Sequence, residues 1–142
     1  MLIRRDSATH LLTHGVDLRV FELGTNTVNV VVVSVREGHF QEFYHKVSRF
    51  TYYMMGGEGT FYLNGEATPV RRGDVITIEP MTRIYYKGQM EMILVTTPAW
   101  TPEGEVEVRK IPRSELVPAA RPQNRMGENF DCEDDEEDYR PA

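Results

Sequence analysis

Cysteine is nearly missing from this 142-residue chain. Cys132 is the single one, so no intrachain disulfide can staple the fold. That usage fits a reducing compartment and makes a cytoplasmic location the expectation. Long apolar runs are missing too. The most apolar stretch, VNVVVVSV at residues 28–35, is far short of the roughly 20 residues a membrane helix needs, and the opening MLIRRDSATH has no apolar signal-peptide core. A membrane is therefore not an expected partner, and the 28–35 run reads as a buried strand. A basic excess is also wanting. Of the net charge of −6, residues 121–142 carry −5 (eight acids against three arginines), which leaves −1 for residues 1–120. With no basic stripe to neutralise phosphates, nucleic acid is excluded as a partner. Histidine is scarce, and His10, His14 and His39 stand in scattered polar contexts without the spacing of a metal site or a nucleophile triad. All three read as surface residues.

What is present points to one small all-β domain. A chain of this length, 40% hydrophobic, has matter for one core and not for two. Eleven glycines and eight prolines punctuate short runs rich in Val, Tyr, Phe and Thr. LIRR at the start and DLRVFEL (17–23) are expected strands, with a polar stretch holding His10 and His14 between them. The Val run follows, then HFQEFYHKV (39–47) as an extended segment. FTYYMM (50–55) is a strand that ends at Gly56-Gly57-Glu58-Gly59 and resumes as TFYLNGEATPV. Asn64-Gly65 between apolar residues predicts a hairpin, because both central residues of that turn need positive φ. Arg72-Gly73-Asp74 marks a turn, VITIEP (75–80) a strand, MTRIYYKG (81–88) a bend and strand, and MEMILVTTPAW (90–100) a closing strand. GEVEVRKI (104–111) alternates well enough for an edge strand or a docked arm. Strands at this spacing belong to a sandwich or barrel over residues 1–115. Residues 116–142, Pro-rich and then acidic, hold too little apolar matter to offset their ordering entropy and are expected to be disordered.

The stretch from Gly38 to Gly88 resembles the cupin family, a double-stranded β-helix (jelly-roll barrel) marked by two motifs. The first reads Gly, five residues, His-x-His, three or four residues, Glu, six residues, Gly. Gly38 and Gly57 take its glycine positions, while Tyr44, Lys46 and Phe50 stand where the two histidines and the glutamate would be. In the second motif Gly73-Asp74 opens, Glu79-Pro80-Met81 replaces Pro-x-Gly, Ile84 takes the histidine position and Gly88 the asparagine position. GGEGTFYLNGE and RRGDVITI look like the cupin consensus by themselves. The resemblance thus implies the barrel while all four metal-ligand positions have changed. A register shifted by one brings in His45 with Val47 and Thr51, which is still one nitrogen donor where a metal needs three or four. Neither a metal nor another cofactor is expected.

Alternation along the strands, in the register of the motif, points Tyr44, Lys46, Phe50, Tyr52 and Met54 inward, with Ile84 and Tyr86 from a facing strand. The expected interior is an aromatic ligand pocket with a few polar tips. Lys46 has two readings. Brought into an apolar barrel it serves as an anion contact or general base, with Tyr44, Tyr52 or Tyr86 as proton donor; near the rim it reaches water and does nothing specific. Phe50, Met54 and Ile84 read as core filling, and the hydroxyls of Tyr52 and Tyr86 need partners if buried. Glu79 and Arg83 flank a bend that in cupins lies at the barrel mouth, where they clamp a substrate or pair across a turn.

Three functions follow. The first is a metal-independent barrel that binds a small organic ligand. The second is a metal-free acid–base isomerase, epimerase or cyclase, similar to cupin enzymes acting on nucleotide sugars or in biosynthetic pathways; those sugar enzymes rely on a histidine base, and the inward positions here hold none. The third is a structural or dimerisation module. A homodimer is expected under all three, because exposed sheet edges need covering.

Overall fold

The structure, a computed structural model, describes residues 1–116. The expected disordered tail lies outside the described residues except for Leu116. The strands in chain order are β1 (Thr9–Thr13), β2 (Val16–Phe21), β3 (Asn29–Val35), β4 (Gln41–His45), β5 (Arg49–Leu63), β6 (Glu66–Arg71), β7 (Val75–Ile78), β8 (Ile84–Thr97) and β9 (Glu105–Lys110). A single-turn helix, α1 (Arg113–Leu116), follows.

β5 and β8 are long because each runs through two sheets. Residues 50–53 of β5 pair with β7 on one side and with Thr96–Ile93 of β8 on the other, whereas residues 58–63 pair with β6 and with the first half of β8. One layer is therefore β7-β5-β8-β3-β2-β1, and the other is β6-β5-β8-β4-β9. All pairings are antiparallel, and together they make the double-stranded β-helix that the glycine framework implied. Where β5 passes from one layer to the other, its register against β8 slips between Met54 and Gly56, a bulge that bends the strand. Gly57 follows with φ +80, and a side chain there would collide with the Gln89 carbonyl. The expected break at Gly56–Gly59 is thus a bend inside one continuous strand. The segments 81–88 and 90–100 likewise merge into β8.

The amino end differs from expectation. LIRR forms no strand, and Arg5–Ser7 is a 3₁₀ turn. The polar stretch after it is β1, joined to β2 through His14-Gly15 with φ values of +51 and +84. Asn64-Gly65, at +52 and +85, makes the same kind of turn between β5 and β6. Both central residues take positive φ, which twists the flanking strands the right way for a hairpin. β1 is an edge strand with mostly exposed side chains, so no apolar alternation marks it.

The layers close on alternate residues of β5 and β8, among them Tyr52, Met54, Phe61, Ile84, Tyr86 and Met92, all buried with valines of β3. Each such side chain contributes roughly 1.5–3 kcal/mol by leaving water. β9 is an edge strand on β4, and beyond it Leu116 is only 3% exposed, so the packed domain reaches the residue at which the tail was expected to begin.

Candidate functional site

A cavity of about 610 Å3 lies inside the barrel, bordered by the β1–β2 hairpin, β3 and the 98–104 loop. Leu18, Val20, Val31 and Val33 give it an aliphatic wall, and Phe43, Phe50, Tyr52 and Tyr86 an aromatic one. The volume and the few polar groups suit a small organic molecule.

His39, Tyr52 and Tyr86 are the buried titratable members of the lining, and Thr96 is buried there with them. His39, 7% exposed, sits in the connection between β3 and β4, with ring centroids 5.3 Å from Tyr86, 5.0 Å from Phe43 and 5.3 Å from His14. Its Nδ1–H donates to the Gln41 carbonyl at 2.7 Å, a bond that fixes the tautomer and leaves Nε2 as the basic nitrogen. Burial pushes the ring's pKa down to about 4; the bond to Gln41 opposes that shift and His14 adds to it. His39 is therefore a neutral imidazole at pH 7. The Tyr52 phenol is pushed well above its ordinary value, first by burial, then by Tyr86 and the charge of Glu105, and by its hydrogen bond with Tyr86. Tyr52 thus holds its proton. A neutral base beside a hydrogen-bonded pair of tyrosines can take a proton from one position of a ligand and return one to another.

The rim is built by loops. Trp100 lines the cavity at 41% exposure; its backbone N–H donates to Asn29 Oδ1 at 2.8 Å and its indole N–H to Glu105 Oε1 at 2.9 Å. The loop 98–104 is tied to the loop 22–28 by Ala99 N–H donating to the Asn26 carbonyl at 3.1 Å. His45 supports this corner from below. Its Nε2–H donates to the Thr101 carbonyl, its Nδ1 accepts from the backbone of Val47 and Ser48, and its ring lies 6.4 Å from Trp100.

The seven residues expected in the pocket divide. Phe50, Tyr52 and Tyr86 line the cavity. Met54 and Ile84 are buried but lie in the core outside it. Tyr44 and Lys46 face away: Tyr44 is half-buried, Lys46 is exposed, and neither borders the cavity. On β4 the inward set is Gln41, Phe43 and His45, one residue off the motif register, and such a slip turns every side chain over. Glu42 and Lys46, four apart on one face, are the sequence signal that this face is not the core. Glu79 pairs with Arg49 and Arg83 with Glu42, so neither clamps the cavity. His10 is exposed and bound to Asp17, as a surface residue should be, but His14 is half-buried at the cavity and His39 is buried in it. The strand histidine His45 turns to the Thr101 carbonyl and does not border the cavity, so the buried cavity histidine, His39, comes from a connection. Among the described residues no three His, Cys, Asp or Glu side chains converge to hold a metal ion, and no helix is long and apolar enough to cross a membrane.

Neither a protein-family model nor a curated protein matches the chain. Solved structures do. The chain is 43% identical to Pac13, a nucleoside dehydratase, over 81% of its own length and 96% of that protein's, with a TM-score of 0.79. A histidine-to-glutamine variant of the Streptomyces Pac13, solved with uridine, matches at 44% identity over 79% and 93% of the two chains, with a TM-score of 0.77. Ectoine synthase from P. lautus, at 19% identity over 86% of this chain and 99% of that one and a TM-score of 0.62, shares the fold.

Proposed function

The chain belongs to the cupin superfamily, and from that membership we propose that it binds a nucleoside in the barrel cavity and removes water from it with its own acid and base side chains. The observation that carries this reading is a match of spacing. Pac13 variants solved with uridine replace one histidine and two tyrosines, at intervals of 13 and 34 residues. The same two intervals separate His39, Tyr52 and Tyr86, the three buried titratable residues of this cavity.

In this reading His39 Nε2 takes a proton from a ribose carbon. The electron pair of that C–H bond becomes the C=C bond, the C–O bond on the adjacent carbon breaks, and the departing hydroxide takes a proton from the Tyr52–Tyr86 pair and leaves as water. A base held near pKa 4 is a weak one, so the carbon must be acidified by a carbonyl beside it. Apolar walls suit a flat base, the lining threonines and Asn29 offer partners to sugar hydroxyls, and Trp100 offers an aromatic face at the rim.

Calorimetric titration with uridine, followed by mass spectrometry of uridine derivatives bearing a carbonyl on the ribose, tests the proposal. Uridine should bind, and one derivative should lose water. His39→Gln should lower that turnover by at least about 100-fold while uridine affinity changes far less. An absence of uridine binding would overturn the reading; binding without turnover of any derivative would favour a binding module. A homodimer joined through sheet edges, with β1 and β9 at the ends of the strand path, is the proposed assembly, and sedimentation of a monomer would refute it.

A further inference from the structure

We infer that the cavity selects the uncharged nucleoside and turns away its 5′-phosphate, because Glu22 and Glu105 place carboxylates along a lining that, among the described residues, holds neither lysine nor arginine. The inference rests on the nucleoside reading and adds the electrostatic filter that goes with it.

The cations that sequence alone brought near the pocket are engaged or directed elsewhere. Lys46 is exposed outside the cavity, and the Arg83 guanidinium pairs with the buried carboxylate of Glu42. Glu105 is held at the rim by the Trp100 indole N–H, and its charge reaches the interior, where it adds to the forces that keep the Tyr52 phenol protonated. Glu22 stands exposed beside the strand end of β2, at the mouth. The remaining titratable groups of the lining are the two histidines and the two tyrosines. His39 is neutral for want of solvation, and its Nδ1–H is already given to Gln41.

A phosphate monoester brings a charge of about −1.5 to −2. To enter it must shed water, and phosphate sites repay that loss with arginine, lysine or converging backbone N–H groups. Here the walls are mostly aliphatic and aromatic, the non-titratable polar groups are threonines and Asn29, and the fixed charges have the same sign as the ligand. Like charges brought together disfavour a wrong partner beyond the loss of any attractive contact.

The test follows the imidazole signals of His39 by NMR at pH 8, where free imidazoles are neutral, using His39→Gln to assign them. Uridine, uridine 5′-monophosphate and inorganic phosphate are titrated separately. Uridine should move the His39 signals saturably, the monophosphate should bind at least about 100-fold more weakly, and phosphate should leave them unmoved. The gap should narrow at least about tenfold in a Glu22→Gln, Glu105→Gln double variant, and partly in Glu22→Gln alone, which removes an exposed charge and serves if the double variant does not fold. The inference is overturned if the monophosphate binds within about tenfold of uridine, if inorganic phosphate moves the signals, or if the gap ignores the carboxylate substitutions. Should uridine itself leave the signals unmoved, the nucleoside reading fails, while the phosphate titration still decides whether the cavity repels anions.

Discussion

Lowering the pH from 7.5 to 4 should withdraw about 3 kcal/mol of folding stability through His39 alone. In the unfolded chain an imidazole takes its proton near pH 6.5, whereas in the barrel it does so only near pH 4, because the charged ring would have to exist among Phe43, Tyr86 and His14 without water. Between those two values the unfolded chain binds more protons than the folded one, so stability falls as the pH falls. The contribution is fully present above pH 6.5, and the loss approaches about 1.4 kcal/mol per pH unit between the two values. Carboxylates complicate the raw curve. Glu37, lowered by its bond to Arg113, adds to the acid loss, and Glu91, raised by burial, works against it. Urea unfolding of the wild type and of His39→Gln across the pH range removes both effects by difference. Parallel stability curves from pH 6.5 to 4.5, or a His39 ring that titrates near 6.5 by NMR, would refute the reasoning.

Three further outcomes are expected. Phe61→Ala, at a fully buried position in contact with Tyr52 and Tyr86, should cost about 3–5 kcal/mol in urea unfolding. Glu42→Ala should cost about 1–3 kcal/mol, less than a fully enclosed pair would, because Arg83 and Arg109 are each partly exposed and can regain water; thermal melts should resolve it. Lys46→Ala should leave uridine affinity and stability unchanged within about 0.5 kcal/mol, since the side chain faces water away from the cavity. A tenfold loss of affinity in that variant would restore the inward register.

Much of the barrel was legible in the sequence because its signals are local. The Asn64-Gly65 turn, the Gly73-Asp74 corner and the valine run of β3 each state their own geometry, and the alternation of β5 put Phe50 and Tyr52 on the inner face. β1 was missed because an edge strand with exposed side chains has no apolar period to show. The site was harder for a different reason. His39 is two residues before β4, in a polar context, and its burial is completed, beyond nearby Phe43, by Tyr86 and the tip of the β1–β2 hairpin, which are distant in sequence. Lys46 was drawn inward by counting a motif from Gly38, although the connection after Gly38 carries the cavity histidine, His39, ahead of the strand. A count from one glycine fixes position along a chain, but only the packing of β4 fixes which face looks in.

The tie between the loops 22–28 and 98–104 has a consequence for how such proteins diversify. The groups proposed to move protons stand on strands and a short connection at the buried end, where an inserted residue would turn strand faces over. Trp100 stands on one of the tied loops, and Glu22 opens the other. Lengthening one loop without the other would break the bond between Ala99 and Asn26, so the two should lengthen or shorten together. Change in molecular appetite can then accumulate at the mouth by paired insertion and deletion, while the buried groups of the proposed chemistry stay where they are.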